Sequence, residues 1–102
     1  MKIQFLSFPG CPSAPGGLAV LERVVARLGL ADRIEEVDMT APETAEELRD
    51  WASPTILIDG VDAGGEMQPN GPGCRMYETA EGGLTGIPPE ELISAAIQRA
   101  AK

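Results

Sequence analysis

The sequence predicts an α/β protein: four strands in one mixed sheet flanked by helices, in the order strand, helix, strand, helix, strand, strand, helix. Three observations predict it. Short runs such as Ile3-Gln4-Phe5-Leu6 and Ile56-Leu57-Ile58 are apolar on both faces, which suits strands covered on both sides. Segments with apolar residues at helical spacing alternate with these runs. The chain has 102 residues, 43% of them hydrophobic but only two Phe, one Trp and one Tyr, so it should form a single domain, residues 1–102, around a modest aliphatic core.

The first strand is predicted over residues 2–8 and ends in the turn Pro9-Gly10. The first helix carries Leu18, Leu21, Val24, Val25 and Leu28 on one face and ends at Gly29. Pro12 would suit a first helical position, but Pro15 would then remove the first helical hydrogen bond. The helix is therefore expected to start near Pro15, with residues 12–14 forming a turn. Residues 34–39 read as a second strand, parallel to the first if the helix is a crossover. Thr40-Ala41-Pro42-Glu43 has the spacing of a capping box and predicts a short helix to about Trp51. Ser53-Pro54-Thr55 leads into the third strand, ending at Asp59-Gly60. Residues 60–73 hold five glycines and two prolines and read as a loop. Residues 74–79 are expected to be the fourth strand, and Glu81-Gly82-Gly83 a turn. Pro88-Pro89-Glu90-Glu91 opens a last helix with Leu92, Ile93, Ala96, Ile97 and Ala100 on its apolar face.

Composition excludes several functions. Sixteen acidic residues against eight basic give a net charge of −8, which argues against nucleic acid and anionic membrane surfaces as partners. No signal-peptide pattern precedes the first strand, and no apolar run approaches membrane length, so a cytoplasmic location is expected. Two cysteines in such a chain read as thiols rather than a structural disulfide. The absence of histidine removes imidazole ligands and a Cys-His catalytic pair.

Cys11 stands where a strand gives way to a helix. The first turn of a helix presents free N–H groups and a partial positive charge, which favour a thiolate, although the effect fades outside that turn. The plain alternative is a buried structural cysteine in a loop.

With Cys11 after the first strand and Ser53-Pro54-Thr55 before the third, this element order resembles the minimal thioredoxin fold. The resemblance implies a cis Ser53–Pro54 bond whose loop faces Cys11. The residues Ser53-Pro54-Thr55-Ile56-Leu57-Ile58-Asp59-Gly60, Cys74-Arg75-Met76-Tyr77 and Gly83-Leu84-Thr85-Gly86-Ile87-Pro88 are similar to small bacterial thioredoxin-like proteins sometimes labelled alkylmercury lyase. That likeness implies the fold and a role in thiol chemistry.

The chain departs from dithiol thioredoxins at Ala14, which stands where the second cysteine would be, three residues after Cys11. Either Cys11 acts as a monothiol resolved by an external thiol, or Cys74, the other sulfur, resolves it from a distance. Strand geometry predicts Cys74 at the far end of the sheet, roughly 13 Å away along four strand residues. A disulfide needs Cα atoms within about 7 Å, so none is expected between the two. Cys74 reads instead as a small apolar strand residue, less reactive than a Cys11 carried on an exposed turn. None of Lys2, Arg23, Arg27, Arg33, Arg49 and Arg75 is adjacent in sequence to Cys11 or Pro54, which disfavours glutathione. No closed zinc site of the usual Cys/His type can be built within one chain.

The function expected is thiol–disulfide exchange. Cys11 is the nucleophile, and Pro12, Ser53, Pro54 and Thr55 meet a small thiol or protein disulfide substrate. The protein is expected to be a monomer without a cofactor. Two alternatives stand beside this reading: a non-catalytic thiolate binder of a soft metal such as mercury, or an interaction module using the Pro54 surface.

Overall fold

The computed structural model describes residues 1–30, 34–69, 71, 73–79 and 81–101. Strands β1 (Ile3–Ser7), β2 (Ile34–Asp38), β3 (Thr55–Ile58) and β4 (Val61–Asp62) form one sheet in the order β2-β1-β3-β4. β2 runs parallel to β1, from Ile3 opposite Ile34 to Ser7 opposite Asp38. β3 runs antiparallel to β1, with Leu6 opposite Thr55, and β4 runs antiparallel to β3. Helices α1 (Ala14–Arg27) and α2 (Glu90–Ala100) complete the mixed α/β architecture, and β5 (Tyr77–Glu78) and β6 (Leu84–Thr85) form a separate two-stranded ribbon.

The sheet buries both faces, as its apolar runs require. Ile3, Phe5, Ile56 and Ile58 pack with Leu21, Val24 and Val25 of α1 and with Ile93, Ala96 and Ile97 of α2. Leu6 and Leu57, which alternate with them, form a smaller cluster with Met39 and Trp51. Both helices therefore lie over one face, joined at the surface by the Arg27–Glu90 ion pair at 2.7 Å. α1 starts one residue before Pro15 and ends as expected. Gly29 takes φ +73°, the Leu30 N–H reaches the Val25 carbonyl and the Gly29 N–H reaches the Ala26 carbonyl, which is the Schellman closure. No helix among the described residues is long and apolar enough to cross a membrane.

Two expected elements form differently. In place of a helix over residues 40–51 there is one 3₁₀ turn, Glu46–Leu48. Thr40 does not cap a helix: its N–H and hydroxyl both donate to the Asp38 carboxylate, and the Thr44 hydroxyl donates to the Asp38 carbonyl. The Arg49 guanidinium donates to the carbonyls of Ala41, Pro42 and Thr44. The local polar groups thus meet their needs without the helical ladder.

The fourth strand of the sheet is β4, not residues 74–79. Asp59 (φ +51°) and Gly60 (φ +82°) form a two-residue hairpin turn that returns the chain at once along β3. Of the expected strand, Tyr77 and Glu78 pair with β6, and Cys74 makes an isolated parallel bridge to Ser53.

Candidate functional site

Phe8-Pro9-Gly10-Cys11 forms a tight turn closed by the Cys11 N–H donating to the Phe8 carbonyl at 3.2 Å, with Gly10 at φ +86°. A second turn follows, in which the Ala14 N–H donates to the Cys11 carbonyl. Cys11 therefore sits between the end of β1 and the first turn of α1. Its side chain is buried, at 4% exposure, while Pro12 is exposed.

The pairing of Leu6 with Thr55 sets Pro54 beside the Ser7 end of β1, from which the Cys11 turn springs. The Ser53–Pro54 bond is cis. The first turn of α1 closes on the same segment: a Cβ placed on Gly17 would lie 3.3 Å from both Pro54 Cγ and Pro88 Cδ. Cys11 thus lies in the chain between two segments that both come to Pro54.

Ser53, Pro54 and Thr55 are all buried, and their polar groups are turned inward. The Ser53 N–H donates to the Gly73 carbonyl and its carbonyl accepts from the Arg75 N–H, both at 2.8 Å. Thr55 Oγ1 donates to the Ala52 carbonyl and accepts from Arg75 Nη1. The main-chain groups of Ser53, expected to meet a substrate, are already paired within the chain, and so is the Thr55 hydroxyl. Ser53 Oγ is different: it is buried and has no hydrogen-bond partner among the described residues.

The expectation for Cys74 is corrected. Its bridge to Ser53 puts it at the same end of the sheet as Cys11, not the far end, because the chain reverses through β4 and the loop before reaching it. It is exposed and lines a cleft with Ala52, Glu66, Met76, Tyr77 and Leu92. The exposures of the two thiols are the reverse of those expected from a turn and a strand.

A buried charged network that sequence reasoning missed holds this arrangement. Arg75 grips the Asp62 carboxylate through both terminal nitrogens, at 2.8 and 2.6 Å, and its guanidinium lies 4.6 Å from the centre of the Tyr77 ring. The Tyr77 hydroxyl donates to the Pro54 carbonyl. Burial, reinforced by the charge of Asp62, pushes the Tyr77 hydroxyl above the ordinary tyrosine range, although Arg75 pulls the other way. Gly64 leaves the space for Arg75, since a Cβ there would collide with Nη2. The available signal was Asp59-Gly60, a hairpin dipeptide whose tight return puts Asp62 opposite apolar Leu57, where a carboxylate needs a cation.

No group of three or more Cys, Asp or Glu among the described residues is placed to hold a metal ion. Comparison of the chain with family models, with curated proteins and with solved structures returns no match.

Proposed function

We propose that this chain is a thioredoxin-like thiol–disulfide exchange protein whose nucleophile is Cys11. The observation that carries the reading is the place of Cys11, buried at the junction of β1 and α1, the two elements that come to the Ser53–Pro54 segment at the head of β3. The strand order β2-β1-β3-β4 and two helices on one face support it, with the 3₁₀ turn standing where the second helix of the fold would be. A thiolate attacks a disulfide sulfur in line and leaves a mixed disulfide, so it needs a defined approach rather than a large cavity. The first turn of α1 and the Pro54 segment form the walls of that approach.

The test is reaction with a small symmetrical disulfide, following thiol release and the intact mass of the protein. Wild-type protein should release thiol with sulfur exchange at Cys11, and Cys11→Ser should release it at least about tenfold more slowly, through exposed Cys74 alone. Thiol release by Cys11→Ser at the wild-type rate would overturn the reading. A soft-metal binder would also use Cys11, but it would exchange no faster than a cysteine in an unfolded peptide, so the rate measured against such a peptide separates the two.

A further inference from the structure

We infer that Cys74 is the resolving thiol of Cys11, which makes the protein a two-cysteine exchanger whose second sulfur comes from a distant part of the sequence. The inference rests on Cys11 being the nucleophile.

Contacts on two sides set the two cysteines at the same end of the sheet. Cys74 bridges Ser53, the residue before Pro54, while Cys11 lies in the turn whose two ends meet Pro54. On the other side, Ser13, two residues after Cys11, packs so closely on Gly86 that a Cβ on Gly86 would collide with its hydroxyl. The same Cβ would lie 3.9 Å from the carbonyl oxygen of Arg75, the residue after Cys74. Residues 73–75 therefore run between the Ser53 segment and the segment that abuts the start of α1. Ser53 Oγ, buried and without a partner among the described residues, belongs to the residue paired with Cys74. A hydroxyl left unpaired in such a place is a donor available to a sulfur anion.

The attachment of Cys74 suits the role. It is held by an isolated bridge and not by a ladder, so among the described residues moving its sulfur disturbs the two hydrogen bonds of Ser53 with Gly73 and Arg75. Arg75 stays fixed by Asp62, which keeps the displaced cysteine close to its starting point. Ala14 occupies the position of a local second cysteine, and Cys74 supplies the missing sulfur from the other side of the site.

The sequence of steps balances. The Cys11 thiolate attacks a low-molecular-weight disulfide, forms one S–S bond to one half and releases the other half as a thiolate, which takes up a proton. The Cys74 thiolate then attacks Cys11 Sγ and expels the second half. The substrate disulfide is reduced to two thiols, and the protein is oxidised to a Cys11–Cys74 disulfide with loss of two hydrogens. An external dithiol returns it to the reduced form.

The experiment treats wild type, Cys74→Ser and Cys11→Ser with 2-hydroxyethyl disulfide, then analyses intact monomer mass and peptide pairs without reduction. Wild type should end two hydrogens lighter, with the Cys11 and Cys74 peptides linked and two equivalents of mercaptoethanol released. Cys74→Ser should stop at the Cys11 mixed disulfide, with an adduct lifetime at least about tenfold longer than in wild type because the internal leaving step is gone. An equally persistent Cys11 adduct in wild type would overturn the inference while leaving Cys11 as the nucleophile. Absence of any Cys11 adduct in Cys74→Ser would overturn the underlying reading as well.

Discussion

The Tyr77 hydroxyl donates to the Pro54 carbonyl from a buried position, and this one contact has a measurable pH signature. Burial favours the neutral phenol, so the folded state keeps its proton above about pH 10, where the unfolded chain loses it. The sign follows from linkage: the stability contributed by neutral Tyr77 is present below about pH 10 and is lost as the pH rises above it. Tyr77 is the single tyrosine, so an absorbance titration of the folded protein should show no tyrosinate near pH 10, and urea midpoints should fall from there upward. Tyr77→Phe should cost about 1 kcal/mol at neutral pH, through the lost hydrogen bond, and remove tyrosine's share of the alkaline loss. An ordinary tyrosine titration in folded protein would contradict the burial assigned to this ring. Cys11 and Pro54 were legible in the sequence because each sits at punctuation between elements. The network of Arg75, Asp62, Thr55 and Tyr77 was not, because its members lie on separate segments and only the fold makes them neighbours.

Among the elements, α1 carries a pair of adjacent glycines with different jobs. A Cβ on Gly16 would meet the tip of Ile87, at 2.6 Å from Cδ1, but that side chain is 38% exposed and its end can turn away. A Cβ on Gly17 would press on the rings of Pro54 and Pro88, both at 3.3 Å, and on Phe5 at 3.4 Å. Gly-to-Ala in a helix is worth up to about 1 kcal/mol in propensity. Gly16→Ala should therefore be neutral or stabilising in urea melts. Gly17→Ala should be destabilising by about 1 kcal/mol or more, because overpacking against rigid rings outweighs the propensity gain. A stabilising Gly17→Ala would mean that α1 does not close on Pro54 as described. The helices were legible from their periodicity, and the end of α1 from Gly29. The helix expected after Thr40 fails because Asp38 takes the donors of Thr40 and Arg49 takes the carbonyls, a competition that no local spacing reveals. The fourth strand differs because the glycines and prolines of residues 60–73 read as one loop and hide the return at Asp59-Gly60, and the expected place of Cys74 follows from that.

At the scale of the molecule, the sheet divides two unequal cores. One is roofed by both helices; the other is covered by the irregular chain around Met39, Leu48 and Trp51. The site lies at the end of the sheet where β1 and β2 finish and β3 begins. The paired main chain of Ser53 has a consequence for what can be recognised there. An extended peptide joins a protein by strand addition, supplying partners for an edge whose N–H and C=O groups are vacant. Ser53 offers no vacancy: Gly73 and Arg75 hold both of its groups, and the bidentate grip of Asp62 on Arg75 secures the occupant. A polypeptide can take that edge only by evicting a segment of the protein itself, whereas a compact disulfide needs no backbone register at all. In the exchange reaction proposed for Cys11, selection would therefore fall to the size of the molecule that carries the sulfur.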